Sequence, residues 1–265
     1  MRKISLDEMK KIQLEILIDV ARFCEENGIR YYLTYGTLLG AVRHKGYIPW
    51  DDDIDIMMPR PDYQRFLNIY NVKKSHYRSR SYYSDSKFPN LFARFEDIRT
   101  FQKEKLIYEN GVGVSIDVFP LDGVPKYVFS IYLRFIEVLK LVWHCRLQHM
   151  ISPKSVLKRG LTFMITKIPF GIYLYCLNVM DKMLRLFSYD NSGRVALLVV
   201  IDRERRELFE KEMLEKTVLL EFENNYFSVP YKYGDVLNAL YGDYMKLPPE
   251  CERVPKHSFE AFYKE

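Results

Sequence analysis

An acidic segment bounded by large apolar residues is the feature that most constrains how this chain can fold. Residues 51–58 read Asp-Asp-Asp-Ile-Asp-Ile-Met-Met. Side chains alternate between the two faces of a β-strand, so a strand over 53–58 places Asp53 and Asp55 on one face and the isoleucines on the other. The apolar face needs a buried sheet. The segment therefore predicts a folded α/β protein that presents two carboxylates on the open side of its sheet.

A second short segment repeats this pattern around a single acid. Residues 115–119 read Ser-Ile-Asp-Val-Phe, and such large neighbours place Asp117 on the polar face of a half-buried strand. Neighbouring carboxylates repel each other unless a cation lies between them, and Mg²⁺ prefers oxygen ligands. If the two strands are adjacent, Asp53, Asp55 and Asp117 form a metal site for Mg²⁺, with Mn²⁺ as the alternative ion. Such a site neutralises phosphoryl groups and activates hydroxyls, so we expect the same three acids to be catalytic.

A glycine-containing turn precedes the acidic segment. Residues 35–40 read Tyr-Gly-Thr-Leu-Leu-Gly, in which Gly36 permits close backbone approach and Thr37 offers a hydroxyl. Amides exposed at the start of a helix bind phosphate, and the basic residues 43–45 can hold phosphate oxygens. The substrate-binding residues that we expect from this stretch are Gly36, Thr37, Arg43, His44, Lys45, Trp50 and Asp51.

Hydrophobic periodicity predicts an α/β (α+β) core with a mixed sheet. Ser5 and Glu8 form a capping box that begins the first helix, and Asn27-Gly28 ends it. The predicted helices cover residues 5–27, 38–42, 61–70 and 231–245. The predicted strands cover residues 29–34, 53–58, 77–83, 91–98, 114–119, 217–223 and 226–229. After Pro248-Pro249 we expect an irregular tail.

The middle of the chain differs from the rest in charge. Residues 126–194 contain 11 Lys and Arg but three acids, whereas the whole chain has a net charge of +5. Residues 124–187 read as long aromatic and aliphatic helices. Their charge-free run, residues 168–180, is shorter than the roughly 20 residues of a membrane span. We expect a helical subdomain that either rests on a membrane face or only packs on the sheet.

These patterns divide the chain into three predicted parts. Residues 1–124 form the core with the metal site, 125–200 a helical subdomain facing the acceptor or the membrane, and 201–265 a C-terminal segment that packs back on the core. The N-terminus shows no apolar signal core, so we expect a cytoplasmic protein, peripheral at the inner face of the plasma membrane. Four scattered cysteines predict buried thiols, without a disulfide framework or a zinc site.

Several motifs together resemble those of the LicD family, which is similar to fukutin and fukutin-related protein. Residues 36–50 (Gly-Thr-Leu-Leu-Gly-Ala-Val-Arg-His-Lys-Gly-Tyr-Ile-Pro-Trp), which lead into the acidic segment, look like the family signature. Residues 117–125 match its second motif, and 222–223, 229–230, 241–245 and 247–250 match its C-terminal pattern. The resemblance covers nearly the whole chain. One departure is that a histidine pair often ends the family pattern, whereas here His257 alone follows Lys256.

The resemblance implies a nucleotidyltransferase-fold core in which Asp53, Asp55 and Asp117 bind Mg²⁺ and Asp117 also receives the acceptor proton. It implies a phosphotransferase that moves phosphocholine from CDP-choline to a cell-surface glycan, such as a teichoic acid, lipopolysaccharide or capsule precursor. Other relatives transfer ribitol or glycerol phosphate from CDP-alditols. The resemblance implies a CDP-linked donor and a glycan acceptor as partners. The basic, aromatic middle segment predicts that this acceptor is lipid-linked and that the protein contacts the inner membrane face.

The residues alone leave the head group of the donor open. A choline head needs an aromatic cage, for which Tyr35, Tyr47, Trp50 and Tyr244 are available, whereas an alditol needs groups that bond hydroxyls. A nucleotidyltransferase acting on RNA or protein ranks lower, because no stacking module or basic groove accompanies the motif and no nucleic-acid partner is expected. A non-enzymatic scaffold ranks lowest because all three acids are present.

Overall fold

The computed structural model describes residues 1–71, 75–85, 88, 90–103, 111–127, 129–147, 167–201, 206–254 and 260–264, with the backbone alone for 141–147 and 170. The helices are α1 (Leu6–Glu26), α2 (Tyr35–His44), α3 (Arg60–Tyr70), α4 (Phe129–Leu147), α5 (Phe170–Leu184) and α6 (Tyr233–Tyr241). The strands are β1 (Lys3–Ile4), β2 (Tyr32–Leu33), β3 (Asp55–Pro59), β4 (Tyr77–Arg80), β5 (Ala93–Asp97), β6 (Thr100–Lys103), β7 (Ser115–Gly123), β8 (Arg194–Ala196), β9 (Leu208–Glu210), β10 (Thr217–Phe222), β11 (Asn225–Pro230) and β12 (Glu260–Tyr263). Short 3₁₀ helices lie at Lys211–Leu214 and Glu250–Glu252.

The first helix forms as its sequence predicts. The hydroxyl of Ser5 accepts a hydrogen bond from the Glu8 amide at 3.2 Å, and the Glu8 carboxylate accepts one from the Ser5 amide at 3.0 Å. This capping box satisfies two amides that have no partner inside the helix. The helix ends at Asn27, and Gly28 follows with a φ of +60°. The side chains that α1 buries fully against the core are Ile16, Leu17, Val20 and Cys24.

A mixed sheet forms the centre of the molecule. Its strand order is β2-β3-β7-β5-β4, with β3 and β7 parallel and the other neighbours antiparallel. Strand β8 extends the sheet from the far end of β7 and pairs in turn with β9. Helices and a mixed sheet together confirm the α+β class. The parallel pair matters most, because it sets Asp55 directly opposite Asp117.

Two hydrophobic clusters fill the interior. The larger one combines α1, α2, α3 and the sheet with side chains of the C-terminal hairpin and α6, among them Phe222, Phe227 and Leu237. The smaller one joins α4 and α5 to residues 196–201. At its centre the Tyr132 hydroxyl donates to the Met183 carbonyl at 2.6 Å. These clusters describe packing; the three-part division at residues 124 and 200 stays a prediction.

A buried ion pair and its neighbours link the two clusters. The guanidinium of Arg60 donates two hydrogen bonds of 2.6 Å to Asp122, and both side chains are almost fully buried. Arg60 also donates to the hydroxyl of Tyr83 at 3.4 Å, and that hydroxyl donates in turn to Asp181 of α5. Arg185 closes the chain with a 2.6 Å contact to Asp181. Polar groups of α3, β7 and α5 are thereby satisfied inside the protein, as buried polar groups require.

The strands near the acidic segment are shorter than the sequence predicts. The strand predicted over 29–34 is reduced to β2, and the one predicted over 53–58 begins at Asp55. Asp53 therefore lies in the connection that leads into β3. The burial pattern still alternates through it, with Asp53 and Asp55 partly exposed and the intervening isoleucine buried. The helix predicted from residue 38 begins earlier, at Tyr35, whose φ is +45°.

Two further predictions about the C-terminal region and one about the thiols are wrong. The helix predicted to reach residue 245 ends at Tyr241, because Gly242 follows with a φ of +68° that a helix cannot continue. The tail predicted to be irregular contains β12, which pairs with β6 and β1 in a small separate sheet. Such short strands carry too few residues for periodicity to reveal them. Cys24 is buried as expected, but Cys251 is exposed on a 3₁₀ turn.

Candidate functional site

Three predicted acids open into one cavity at the edge of the central sheet. Asp55 and Asp117 are paired residues of the parallel strands β3 and β7, and the Asp117 amide donates to the carbonyl of Ile54 at 2.9 Å. Asp53 lies two residues before Asp55. The cavity that they line has a volume of about 890 Å³. Residues more than sixty positions apart in sequence are thus brought together by strand pairing.

The acids around this cavity oppose each other's ionisation. Burial raises the pKa of Asp55 well above its ordinary value, and the negative charges of Asp53, Asp117 and Asp51 raise it further. Arg94 acts in the opposite direction, and its Nε lies 3.2 Å from Oδ1 of Asp117. An oxygen-rich, electrostatically strained cluster of this kind fits a divalent cation such as Mg²⁺.

Consecutive acids on the loop before β3 form the most compact carboxylate group in the described part of the chain. Oxygens of Asp51, Asp52 and Asp53 all lie within 4.8 Å of one another. This group differs from the predicted metal ligands Asp53, Asp55 and Asp117. The two sets have only Asp53 in common. We place more weight on the set containing Asp55 and Asp117, because these two side chains belong to paired strands and act on each other electrostatically. Their role as metal ligands remains a prediction.

The two residues of the glycine turn that were predicted to bind substrate lie in different places. Gly36 faces the cavity, whereas the Thr37 hydroxyl does not. Gly36 lines the cavity together with Asp51, and a Cβ at position 36 would lie 2.1 Å from the Asp51 carboxylate. A larger residue at position 36 would therefore force the Asp51 side chain to move. The Thr37 hydroxyl is buried, away from the cavity wall, and accepts a hydrogen bond from the Asp55 amide at 2.8 Å. Thr37 therefore holds the start of β3, and a direct role in binding substrate stays a prediction.

Of the three basic residues that follow the turn, Arg43 and His44 stay in contact, because Arg43 Nε donates to His44 Nε2 at 3.0 Å, whereas Lys45 lies elsewhere. Arg43 lines the cavity, where its guanidinium donates to the Tyr244 carbonyl at 3.1 Å and burial lowers its pKa. The His44 ring lies against Trp50 instead, and burial followed by the charge of Arg43 lowers the pKa of this histidine. Lys45 is largely exposed and lies 3.2 Å from Glu221 on β10. Successive residues at the end of a helix point in different directions, so only Arg43 of the three faces the cavity.

A glutamate in the turn between β10 and β11 fixes the loop that leads to the acids. Its carboxylate accepts a hydrogen bond from the Tyr47 amide at 3.1 Å, and the Glu223 amide donates to the carbonyl of Lys45 at 2.9 Å. A Cβ at Gly46 would lie 2.2 Å from the same carboxylate. The family pattern at residues 222–223 thus corresponds to a clamp on this loop, a role that sequence reasoning did not assign.

The far wall of the cavity comes from residues that sequence reasoning missed as site residues. Members of the C-terminal segment and of the stretch before β9 line this wall: Val200, Glu207, Tyr241, Asp243, Lys246, Pro249 and Glu252. Burial and the charges of Asp55, Asp51 and Asp53 raise the pKa of Tyr241, which places its ring close to the acids. The match of residues 241–245 and 247–250 to the family's C-terminal pattern was the available signal.

The aromatic residues expected for a choline cage are only partly assembled. Tyr35, Trp50 and Tyr244 line the cavity. Tyr47 does not, because its hydroxyl donates to the Lys10 carbonyl at 3.0 Å and its ring packs against Phe222. Tyr241, described above, takes a place on the cavity wall that the prediction had not foreseen.

A close approach at Gly40 allows a prediction about the stability of the site. A Cβ at this position would lie 2.4 Å from the carbonyl oxygen of Gly46, a backbone atom that cannot turn aside. We expect Gly40→Ala to lower the free energy of unfolding by about 1–3 kcal/mol, as overpacking does, and to reduce turnover by moving the loop. Gly171→Ala in α5 is the matched control, because among the described residues no atom outside its own stretch of helix lies within 4 Å of the new methyl group. Urea titration should show this control unchanged or about 0.4–1 kcal/mol more stable; equal effects at both sites would contradict the close approach.

Comparison with known proteins places the chain in a family. Residues 28–157 match the family described as LicD/FKTN/FKRP, nucleotidyltransferase domain. The lipopolysaccharide cholinephosphotransferase LicD of Haemophilus influenzae is 32% identical over 276 residues, which cover 99% of each chain. The human protein named ribitol 5-phosphate transferase FKRP is 47% identical over 47 residues, which are 16% of this chain and 10% of that protein. Similarity along the full length, with the motifs at the cavity, shows that the chain belongs to the LicD family.

Proposed function

We propose that this protein transfers phosphocholine from CDP-choline to a cell-surface glycan, with lipopolysaccharide as the first candidate acceptor. The observation that carries the proposal is the full-length similarity to a lipopolysaccharide cholinephosphotransferase. The shorter match to a ribitol 5-phosphate transferase supports the related chemistry of a CDP-alditol, but over 47 residues only. Teichoic acid and capsule precursors remain alternative acceptors for the same reaction.

The composition of the cavity wall supports a cationic head group. Tyr35, Trp50, Tyr241 and Tyr244 offer aromatic faces, which attract a quaternary ammonium. The same wall carries the acids Glu207, Asp243 and Glu252 in addition to the catalytic cluster. A neutral alditol gains little from such negative charge, whereas a choline head gains both from the charge and from the rings.

The acids of β3 and β7 suit the diphosphate end of the donor. Asp53, Asp55 and Asp117 would hold the divalent cation, which when bound supplies the positive charge that neutralises the phosphates. Asp51 lies beside them against Gly36, where the missing Cβ brings the backbone close to the carboxylate. Arg43 contributes a further cation on the cavity wall and is fixed by its contact with the Tyr244 carbonyl.

The proposed reaction is an in-line displacement at phosphorus. An acceptor hydroxyl attacks the phosphorus that carries choline, the bond to the oxygen shared with CMP breaks, and CMP leaves with that electron pair. Asp117 receives the proton of the hydroxyl, and its contact with Arg94 holds the carboxylate in place. Positioning and electrostatics then supply most of the rate, as is usual for phosphoryl transfer.

The acceptor in this proposal is carried on a lipid at the inner face of the plasma membrane, and the enzyme is cytoplasmic. This choice rests on the basic and aromatic middle segment, which contains 11 Lys and Arg against three acids. Anionic lipids attract such segments by about 1 kcal/mol per cation near the surface.

A ligand panel tests the donor directly. We expect CDP-choline with Mg²⁺ to raise the melting temperature more than CDP-ribitol or CDP-glycerol, because a ligand that binds only the folded state stabilises it by mass action. At about 100 times the dissociation constant the gain is about 2.7 kcal/mol, or roughly 5–10 °C for a chain of this size. Differential scanning fluorimetry measures the shift, and EDTA should remove most of it.

Two tyrosine variants make the panel specific for the head group. Tyr241→Leu removes a ring from the cavity and should weaken the response to CDP-choline but not to CDP-glycerol. Tyr226→Leu is the matched control, since this tyrosine is exposed on β11 away from the cavity. A larger shift with CDP-ribitol would favour the alditol reaction, and a response to ATP without any to CDP-linked donors would favour a nucleotidyltransferase.

A further inference from the structure

The second hydrophobic cluster has an apolar outer side. Helices α4 and α5 pack together through inward side chains such as Leu133 and Leu177. Their opposite sides carry large apolar side chains that the described residues leave largely uncovered: Ile131 (71% exposed), Phe135 (48%) and Val138 (63%) on α4, and Ile172 (52%) and Tyr175 (70%) on α5. The three residues of α4 follow the spacing of a single helix face. Both helices are therefore apolar towards the core and again towards the outside.

Unpaired cations surround this outer side. Lys126, Arg134 and Lys182 are exposed and Arg194 is partly exposed. Within the described ranges none of these four makes an ion pair with a carboxylate, while Asp181, one of the few acids nearby, is already held by Arg185 inside the protein. Two of the cations lie over aromatic rings, Lys126 over Tyr127 and Arg194 over Phe129. The acids Glu137 on α4 and Glu210 on β9 also lie in this region, so the four cations leave a net positive charge that attracts an external anion.

A second cavity lies at the N-terminal end of α4, next to the apolar side chains. Its volume is about 920 Å³, and its wall includes the cations Lys126 and Arg194, the polar residues Asn191 and Ser192, and one acid, Glu210, which is the strand partner of Arg194. The Arg194 guanidinium donates one hydrogen bond of 3.2 Å to the Lys126 carbonyl, so its other N–H groups have no acceptor in the described part of the chain. The first turn of α4 contains no acid, so the positive end of the helix dipole adds to the two cations. This chemistry suits a phosphate group.

One tyrosine connects the cavity to the apolar side chains. Tyr127 lines the cavity and is 74% exposed; it lies two residues before the start of α4, and Ile131 lies in the first turn of that helix. We name the outer residues of α4 and α5, together with this cavity, the lipid-facing surface. A phosphate in the cavity would lie at the polar end of a surface whose other end is apolar, which is the arrangement of a phospholipid.

We propose that the lipid-facing surface binds an anionic phospholipid bilayer, with a headgroup phosphate in the cavity and the apolar side chains of α4 and α5 in the interface. No helix within the described ranges meets the length and apolarity needed to cross a bilayer. Helices that lie in the interface combine an apolar side with Lys and Arg beside it. A second copy of the chain fits less well, because a symmetric contact would bring the same cations face to face. The proposal rests on the proposed function in one respect only: a lipid-linked acceptor explains why the enzyme would bind a membrane.

Sedimentation with vesicles of known composition tests this surface. We expect the full-length protein to bind phosphatidylcholine vesicles that contain about one third phosphatidylglycerol, and not pure phosphatidylcholine vesicles, with binding that weakens as salt is added. The Lys126→Gln/Arg194→Gln variant should bind about 30-fold more weakly, since each cation near an anionic surface contributes about a factor of five. The Ile131→Ser/Phe135→Ser variant should bind at least about 10-fold more weakly, because it loses apolar burial.

Matched variants elsewhere control for charge and hydrophobicity alone. Lys11→Gln/Lys216→Gln removes two exposed lysines from α1 and from the stretch before β10, and Leu219→Ser removes an exposed leucine of β10. Both should bind vesicles like the unmodified protein. Asp55→Asn should also bind normally, because vesicle binding needs no turnover. If the unmodified protein binds vesicles but transfers no phosphocholine, that result would count against the proposed function alone.

Several results would overturn the proposal. One is absence of binding to anionic vesicles at low salt, and another is unchanged binding in the two variants of the lipid-facing surface. A dimer that Ile131→Ser/Phe135→Ser converts to a monomer in sedimentation equilibrium, without vesicle binding, would make this face an interface between copies. Binding of soluble glycerol 3-phosphate without any binding of vesicles would make the cavity a site for a free phosphate compound.

Discussion

Asp55→Asn should abolish turnover and at the same time stabilise the protein when no divalent ion is present. Asp55 lies at the centre of the acid cluster, where burial and three neighbouring carboxylates disfavour its ionised form. An amide of nearly the same shape removes that conflict and should raise the free energy of unfolding by about 0.5–2 kcal/mol, or a few degrees in Tm. It also removes a proposed metal ligand, so we expect transfer to fall at least about 1,000-fold.

The stabilising effect should depend on pH in a defined direction. Because the folded state raises the pKa of Asp55, folding favours its protonated form, and stability is lost as the pH rises from the ordinary carboxyl range through the raised value. The advantage of the amide should therefore be large near neutral pH and vanish under acidic conditions. Thermal unfolding in EDTA at several pH values measures it. A variant that is less stable than the unmodified protein at every pH, or that retains transfer, would refute the role assigned to Asp55.

Breaking the buried pair between Arg60 and Asp122 should cause the largest loss of stability in this protein. The two hydrogen bonds of 2.6 Å between them are hidden from water, and burial of Asp122 is tolerated because Arg60 offsets it. Asp122→Ala leaves a buried guanidinium without its carboxylate, which costs about 3–5 kcal/mol. Urea-induced unfolding followed by circular dichroism measures the change in midpoint.

A double substitution distinguishes the stability lost by leaving one buried charge unpaired from the stability that the ion pair itself contributes. Arg60→Met/Asp122→Leu removes both charges and should be more stable than either single variant, since apolar groups of similar size can replace a buried ion pair. Glu260→Gln breaks the exposed pair between Lys3 and Glu260 and serves as the control, with no measurable change expected. A double variant as unstable as Asp122→Ala would show that the polar network to Tyr83 and Asp181 matters more than the charges.

Much of the fold follows from local sequence signals. The capping box at Ser5 and the alternation of acids and isoleucines around Asp55 predicted elements that the structure contains, and the α+β class and the LicD family are confirmed. The small sheet of β1, β6 and β12 escaped prediction because each strand has only two to four residues and its partners lie far apart in sequence. Propensity acts over short windows, whereas such pairings depend on tertiary packing.

The site was predicted unevenly for a similar reason. Asp53, Asp55 and Asp117 could be placed together because strand alternation limits where their side chains can point. The direction of Thr37, His44 and Lys45 could not, because it depends on where α2 begins and on contacts with the distant β10–β11 hairpin. Tyr241 and its neighbours lie in a C-terminal segment whose motif was recognised but whose position relative to the acids only the tertiary structure reveals.

The parallel pairing of β3 with β7 also limits how sequences of this kind can diverge. Deleting or inserting one residue of β7 before Asp117 would move Asp117 to the side opposite Asp55, and the same change later in either strand would reverse the faces of the side chains that follow it. Length changes among relatives should therefore accumulate in the connections, such as the stretch between β6 and β7, where extra residues leave the pairing intact. In these two strands, substitutions can accumulate, but insertions and deletions that change the register cannot.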